Sequence, residues 1–302
     1  MDNLEAIKRR IQTATDLHSL VRTMKALAAV NIRQLERAVE SLAQYQRTVE
    51  MGLSIVLRNN NRVALRARSA PTNKVGAIVF GSDQGMCGPL NDLVAQFTTQ
   101  QLNARFGPQN DVLAIAIGAR VSARLKDAGL NVQQTLPVAH SLAGITPRVQ
   151  DLLVRIDAWH HQERIDQVIV FFAEHTSRSN SEMRYQNLLP IDLQWLQSLR
   201  QRPWPTNQIP TFTMEPQTLF SLLVQQYLFV SLYRASAESM ASENASRLAA
   251  MQGAERNTGN RIDALTRQFH QTRQMALTEE LLDIAAGFEA IESEESRSEA
   301  TD

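Results

Sequence analysis

The chain has 302 residues, of which 43% are hydrophobic and 21% are charged, a composition typical of ordered water-soluble proteins and unlike that of disordered or collagen-like chains. Its 31 basic residues balance its 31 acidic residues, so the overall charge gives no indication of nucleic-acid binding. The single cysteine, Cys87, excludes an intramolecular disulfide and a Cys-rich zinc site, and no apolar run approaches the roughly 18 residues of a membrane helix.

The first 70 residues contain no proline, and their apolar side chains recur every three or four positions from Leu4 to Val56. An average period of about 3.5 residues is the pattern of a left-handed coiled coil; Gln46 is the one polar residue in the seam. We therefore assign residues 1–70 to an N-terminal coiled-coil region, with a helix over residues 2–59. At 1.5 Å per residue this helix is roughly 87 Å long, so we expect it to project from any compact domain.

All ten prolines lie in the middle of the chain, between Pro71 and Pro216. Here short apolar runs rich in β-branched residues alternate with helical patterns, which predicts a parallel α/β sheet covered on both faces. We assign residues 71–215 to this α/β domain. The predicted strands span residues 74–80, 111–117 and 167–172, with an edge strand at 182–190, and the predicted helices span residues 89–105, 119–128 and 141–164.

Residues 216–288 predict a second long helix, whose apolar seam is interrupted by a polar stretch at residues 252–261. Gly253 and Gly259 lie in this stretch and each weakens a helix by about 1 kcal/mol, so we expect it to be soft or kinked. A single long helix cannot bury its own apolar stripe, and the two terminal helices are natural partners; a coiled-coil homodimer is the alternative. Residues 289–302 are rich in acidic side chains and predict a disordered tail.

The strongest candidate for chemistry is the glycine-bearing turn at residues 81–88, which follows the first predicted strand. Its position suits phosphate binding at a helix N-terminus, but its spacing fits neither dinucleotide nor P-loop motifs. We therefore favour a structural turn formed by Gly81, Gly85, Cys87 and Gly88, and phosphate binding is the alternative. Cys87 has no histidine near it in sequence to act as a base, and the six histidines show no metal-ligand spacing. The sequence predicts no catalytic residue, cofactor or metal.

Positive charge is concentrated in residues 1–68, where twelve Lys and Arg face six Asp and Glu. An excess of about six positive charges along a helix attracts an acidic partner surface, although an ordinary solvated helix face gives the same pattern. Nucleic acid is a poor candidate partner because no aromatic side chains alternate with the basic ones.

Over about residues 3–290 the chain resembles the gamma subunits of F-type ATP synthases. The C-terminal segments match the family patterns ASE-x-A-x-R-x-x-AM and RQ-x-x-IT-x-E, and the turn matches SD-basic-G-L-C-G-x-L-N except that Gln84 replaces the basic residue. Pro89 fills the variable position of that turn. The matching segments are residues 7–11 (IKRRI), 23–30 (TMKALAAV), 80–91 (FGSDQGMCGPLN), 240–251 (MASENASRLAAM) and 272–280 (TRQMALTEE).

The resemblance implies that the terminal helices form an antiparallel coiled coil, the central rotor shaft inside a ring of α and β subunits. The α/β domain would lie at the foot of the shaft, near the epsilon subunit and the membrane c-ring. Nucleotide chemistry would belong to the β subunits, so the chain would be non-catalytic and would need no cofactor. We expect a peripheral subunit on the cytoplasmic face of a bacterial plasma membrane, with no nucleic-acid partner and no direct insertion into lipid; the acidic first residues do not resemble a targeting segment.

Seven residues match family positions implicated in contact with the α/β ring and in coupling. Met24 and Lys25 fall where the shaft passes an acidic segment of β. The five remaining coupling candidates are Arg247, Arg273, Gln274, Thr278 and Glu280.

Two other functions stay open at this stage. One is a coiled-coil adaptor with an α/β binding domain, and the other is a small-molecule enzyme that uses the central domain.

Overall fold

A computed structural model describes residues 2–59, 74–107, 111–176, 180–204, 207–208 and 210–299. Within these ranges, long helices begin and end the chain, and strands and shorter helices alternate between them. In order, the elements are α1 (Asp2–Asn59), β1 (Lys74–Phe80), α2 (Leu90–Phe106), β2 (Asp111–Ile117), α3 (Ala119–Asp127), β3 (Asn131–Leu136), α4 (Leu142–Ala158), which continues into a π-helical turn (Trp159–Glu163), β4 (Gln167–Thr176), β5 (Asn180–Leu189), α5 (Leu193–Gln201) and α6 (Pro216–Glu299).

Two compact units make up the chain, and the first consists of Met1–Lys25 and Met251–Asp302. In this unit α1 and α6 pair in antiparallel directions, and predicted seam residues such as Val21 and Leu265 are buried. The predicted soft stretch at residues 252–261 is helical without a break. The cost of its two glycines is offset by contacts with α1, since side chains of this stretch bond to His18 and Lys25.

The second unit, Ala26–Ala250, contains a five-stranded sheet in the order β3-β2-β1-β4-β5. The first four strands are parallel and β5 is antiparallel to β4, which confirms the predicted parallel sheet with an added edge strand. Helices α2 and α3 pack on one face, and α4, α1 and α6 on the other. The sequence analysis missed β3, because its residues NVQQTL form a polar edge strand without an apolar run.

Besides the apolar clusters on the two faces of the sheet, a third apolar cluster joins the end of α1 to α5 and to the start of α6. Leu53 and Val56 are fully buried there against Leu196 and Phe220. Helix α5 was also missed by the sequence analysis, since its nine residues are too few for a clear helical period. It fills the space beside the end of α1 and the start of α6.

The buried centre of α6 is the stretch of residues 235–245, in which all eleven residues are buried. A helix that is buried on every side is enclosed by other elements, and here seven of the eleven side chains are alanine or serine. Small side chains shorten the distance at which a helix packs against its neighbours. Within this stretch Ser242 is fully buried, and its hydroxyl donates a hydrogen bond to the Ala173 carbonyl of β4 at 2.9 Å.

Helix α6 continues to Glu299, whereas the sequence analysis predicted a disordered tail from residue 289. After Gly287 the segment contains neither glycine nor proline, and its alanine and glutamate residues have high helix propensity. The acidic composition therefore does not end the helix at residue 288.

Replacing Ser242 by leucine is expected to lower the free energy of unfolding by about 2–4 kcal/mol, because the larger side chain overfills a closed site and a buried hydrogen bond is lost. The matched control is Ser221→Leu on an exposed face of the same helix, for which we expect a change within about 0.5 kcal/mol. Urea unfolding of the full chain followed by circular dichroism measures both. Equal midpoints for the two variants would contradict the close packing of α6.

Candidate functional site

The turn after β1 is closed by its own side chains. The Asn91 amide oxygen accepts a hydrogen bond from the Ser82 backbone N–H at 3.0 Å, and its Nδ2 donates to the Ser82 hydroxyl at 2.8 Å. The Cys87 sulfur lies 3.4 Å from both the Ser82 hydroxyl and Asn91 Nδ2 and is buried. Cys87 is thus a packed member of a polar cluster, as the structural interpretation of this turn requires.

Asp83 joins three loops, at the carboxyl ends of β1, β2 and β3. One carboxylate oxygen accepts a hydrogen bond from the Ala119 N–H at the start of α3, and the other accepts one from the Val138 N–H, each at 2.8 Å. Backbone N–H groups bonded to a carboxylate form charge-assisted hydrogen bonds, which are stronger than neutral ones. The sequence analysis did not single out Asp83, Ser82 or Asn91, although short polar residues directly after a buried strand are the signal that could have identified them.

Two glycines of the turn are fixed by their surroundings. A Cβ at Gly81 would lie 2.3 Å from the Val121 Cβ, and Gly88 has a φ of 57°, a left-handed conformation that favours glycine. Gly85 differs, because a Cβ there would meet no atom closer than the Arg120 guanidinium, at 3.9 Å. Of the three predicted turn glycines, packing requires Gly81 and the left-handed backbone favours glycine at position 88.

Helix α6 occupies the crevice where open α/β sheets bind ligands. In such sheets the crevice lies at the carboxyl ends of the strands where the strand order reverses, which here is between β1 and β4. Ser242 bonds to Ala173 of β4 as described above, and the Ser246 hydroxyl donates to the Cys87 carbonyl in the turn after β1 at 2.5 Å. These two serines attach α6 to β4 and to the turn after β1, so the crevice is filled by the chain itself.

Arg247, a predicted coupling residue, lies at this joint and is largely buried. Its guanidinium donates to the Glu243 carboxylate at 2.6 Å, and only 12% of the Arg247 side chain and 10% of the Glu243 side chain are exposed. Burial raises the pKa of Glu243, an effect that the Arg247 charge opposes. Both residues line a cavity of about 230 Å³ together with Asp83 and His140. The structure therefore places Arg247 against the α/β domain, with its charge already paired.

Met24 and Lys25 lie in the first unit. Met24 is half-buried, and the Lys25 ammonium donates to the Glu255 carboxylate of α6 at 2.5 Å. This hydrogen bond from Lys25 lowers the pKa of Glu255. Nearby, His18 Nδ1 lies 3.0 Å from the Thr258 hydroxyl, which itself donates to backbone carbonyls of α6. A polar layer thus crosses the helix pair beside the two predicted contact residues.

The other four predicted contact residues share one exposed segment of α6. Arg273, Gln274, Thr278 and Glu280 are all exposed, and the Thr278 hydroxyl donates to the Gln274 carbonyl at 2.9 Å. The same segment exposes large apolar side chains that the sequence analysis did not identify as a surface. A cluster of exposed apolar residues marks an interaction site. These residues, which we call the apolar end of α6, are Met275, Leu277, Leu281, Leu282 and Ile284, each more than half exposed.

Other kinds of site find no support in the part of the chain that the structure describes. Its histidine, cysteine and acidic side chains form no group of three or more that could hold a metal ion. Of the helices in the described ranges, none has a stretch that is long and apolar enough to cross a membrane.

The fold defines a class of protein with long terminal helices and an α/β domain whose ligand crevice is filled by the last helix, α6. The sequence model of the ATP synthase family matches residues 3–291, so the chain belongs to that family. It resembles its gamma chains: the "ATP synthase gamma chain" of Bacteroides fragilis is 28% identical and covers 95% of this chain and 99% of its own. The gamma chain of Cupriavidus necator is 27% identical and covers 96% of this chain and 100% of its own.

Solved structures show the same fold. A rotor chain of the Euglena gracilis mitochondrial ATP synthase aligns with a TM-score of 0.63 at 13% identity, over 91% of this chain and 99% of its own length. A chain from the central stalk and c-ring structure of the Tetrahymena thermophila enzyme aligns with a TM-score of 0.54 at 17% identity, over 78% and 99%. The resemblance noted in the sequence is thereby confirmed, and it favours a rotor subunit over the adaptor and enzyme alternatives.

Replacing Gly81 by alanine is expected to lower the free energy of unfolding by about 2 kcal/mol or more, because the added methyl group collides with Val121. Gly85→Ala removes the same amount of unfolded-state freedom without a collision, so its stability should stay within about 0.5 kcal/mol of the parent. Thermal unfolding of the two full-length variants makes the comparison. A Gly81→Ala variant as stable as Gly85→Ala would show that the turn can move aside.

Proposed function

We propose that this gamma chain is the central rotor shaft of an F-type ATP synthase, coupling ion flow through a membrane ring to ATP synthesis or hydrolysis at the β subunits. The observation that carries the proposal is the family match, because it spans both terminal helices and the α/β domain together. A gamma chain is a non-catalytic subunit of a membrane-associated complex. Its partners in this proposal are the ring of α and β subunits, the epsilon subunit and the membrane c-ring.

The regions of the chain take different roles in the proposal. Residues 1–70 and 216–288 form the shaft, residues 71–215 form the foot near epsilon and the c-ring, and residues 289–302 form an acidic tail. The attachment of α6 to β4 and to the turn after β1 supports a foot that moves with the shaft. The cellular place we propose is the cytoplasmic face of a bacterial plasma membrane, as a peripheral subunit.

The exposed segment of α6 is the best-supported contact with the α/β ring. Arg273 offers a planar donor group that can hold a carboxylate with two hydrogen bonds, and the apolar end of α6 offers surface that water solvates poorly. Gln274, Thr278 and Glu280 complete the proposed contact. Met24 and Lys25 contribute a second contact, in which the Lys25 ammonium exchanges Glu255 for an acidic segment of β or pairs with both. Arg247 acts in coupling through its buried pair with Glu243, at the joint with the foot.

Gentle purification of the tagged chain from its native cells, followed by native mass measurement, tests the function directly. We expect a complex with three α-like and three β-like ATPase subunits for each copy of the chain. The isolated chain should hydrolyse no ATP, since the β subunits hold the catalytic sites. Recovery as a lone chain or homodimer from cells that contain abundant α and β subunits would contradict the rotor proposal and favour an adaptor.

Arg273→Ala is expected to reduce the ATPase rate or the coupled ion pumping of the reconstituted complex several-fold, because a charge-assisted contact with the ring is lost. Lys126→Ala, which removes an exposed charge from α3 in the α/β domain, is the matched control and should leave both rates unchanged. ATP hydrolysis and ion pumping are measured on the same preparation. Unchanged values for Arg273→Ala would remove Arg273 from the contact, while leaving the rotor function itself intact.

A further inference from the structure

A second cavity, distant in sequence from the turn, lies within the Ala26–Ala250 unit and has a volume of about 530 Å³. Three separate elements contribute to it: Arg47 from α1, Arg202 from the residues after α5, and Arg234 from α6. Its apolar lining includes Met51 and Trp204. Pockets of this size hold small organic molecules, so the cavity is large enough for a ligand.

The arginines around this cavity differ in how far their charges are neutralised. Arg202 pairs with Glu50 at 3.0 Å, and Arg234 pairs with Glu238 and Glu174. The guanidinium of Arg47, by contrast, makes no hydrogen bond or ion pair with any residue that the structure describes. Glu50 is the single acidic residue in the lining, while Glu174 and Glu238 neutralise Arg234 from outside the lining, so Arg47 is the one of the three arginines whose charge has no described counter-charge.

We propose that this cavity binds a phosphate group carried by an organic molecule with an apolar part. A guanidinium has five N–H donors in a planar arrangement, so Arg202 and Arg234 retain donors after pairing with their carboxylates. Phosphate matches this arrangement because its oxygens accept bidentate hydrogen bonds from several arginines at once. Arg47 supplies the uncompensated charge, and Met51, Leu199 and Trp204 contact the apolar part. A free organic phosphate and an anionic phospholipid headgroup both have this chemistry.

Arg47 is also the residue that allows a clean test. Removing Arg202 or Arg234 would leave a carboxylate without its partner, and unpaired buried charge destabilises the fold. Arg47 has no described partner to leave behind, so Arg47→Gln removes the proposed phosphate contact alone. Arg37 lies on the same helix, is exposed and is absent from the cavity lining, so Arg37→Gln is a control with the same loss of charge.

The experiment titrates the purified full chain with 1-naphthyl phosphate in a calorimeter, with 1-naphthol as the uncharged control ligand. We expect saturable binding of the phosphate, weakened about tenfold in Arg47→Gln, the effect of one lost charge-assisted hydrogen bond, and unchanged in Arg37→Gln. A parallel arm sediments the chain with phosphatidylcholine vesicles that contain or lack phosphatidylglycerol. Arg47-dependent binding in the first arm alone assigns a soluble organic phosphate, and in both arms it extends the site to lipid headgroups.

Three results would overturn the proposal. They are no saturable binding of naphthyl phosphate at millimolar concentration, equal weakening by the Arg37 and Arg47 variants, and equal binding of naphthol and its phosphate. Equal weakening would show general attraction by a basic helix, and equal binding would show that the phosphate is not recognised. Circular dichroism of both variants checks that each retains the helix content of the parent chain.

Discussion

The buried centre of α6, residues 235–245, is the constraint on which the fold of the second unit depends. Eleven consecutive buried residues can be helical only where neighbours surround them, and alanine and serine let α1 and the sheet approach closely. Ser242 and Ser246 then attach the helix to β4 and to the turn after β1. The glycine-bearing turn and the serine-rich stretch of α6 thus meet in one joint.

This joint also explains how the α/β domain of this chain differs from an α/β domain that binds a cofactor in its crevice. The topology retains the reversal of strand order that creates a ligand crevice, but the chain's own helix fills it. The turn's polar groups bond to one another and to backbone N–H groups of neighbouring loops. A glycine-bearing turn between strand and helix can therefore serve packing alone.

Most of the fold was predictable from the sequence, because its signals are local and strong. The 3.5-residue period of α1 predicts a helix, and the apolar runs of β1 and β2 predict strands. The bounds of those two strands were predicted correctly. Strand β3 and helix α5 were missed because neither has an apolar period of its own, and tertiary contacts determine their structure. At the candidate site, the pairing of Arg247 with Glu243 and of Lys25 with Glu255 involves side-chain geometry that spacing alone does not reveal.

The apolar end of α6 has a consequence for how the subunit is made. Met275, Leu277, Leu281, Leu282 and Ile284 lie exposed in the single chain, and water-exposed apolar patches promote self-association. A newly synthesised subunit that accumulates before its partners is therefore expected to self-associate, and more strongly as its concentration rises. If the α/β ring covers this helix end, as proposed above, early capture by that partner removes the tendency to self-associate.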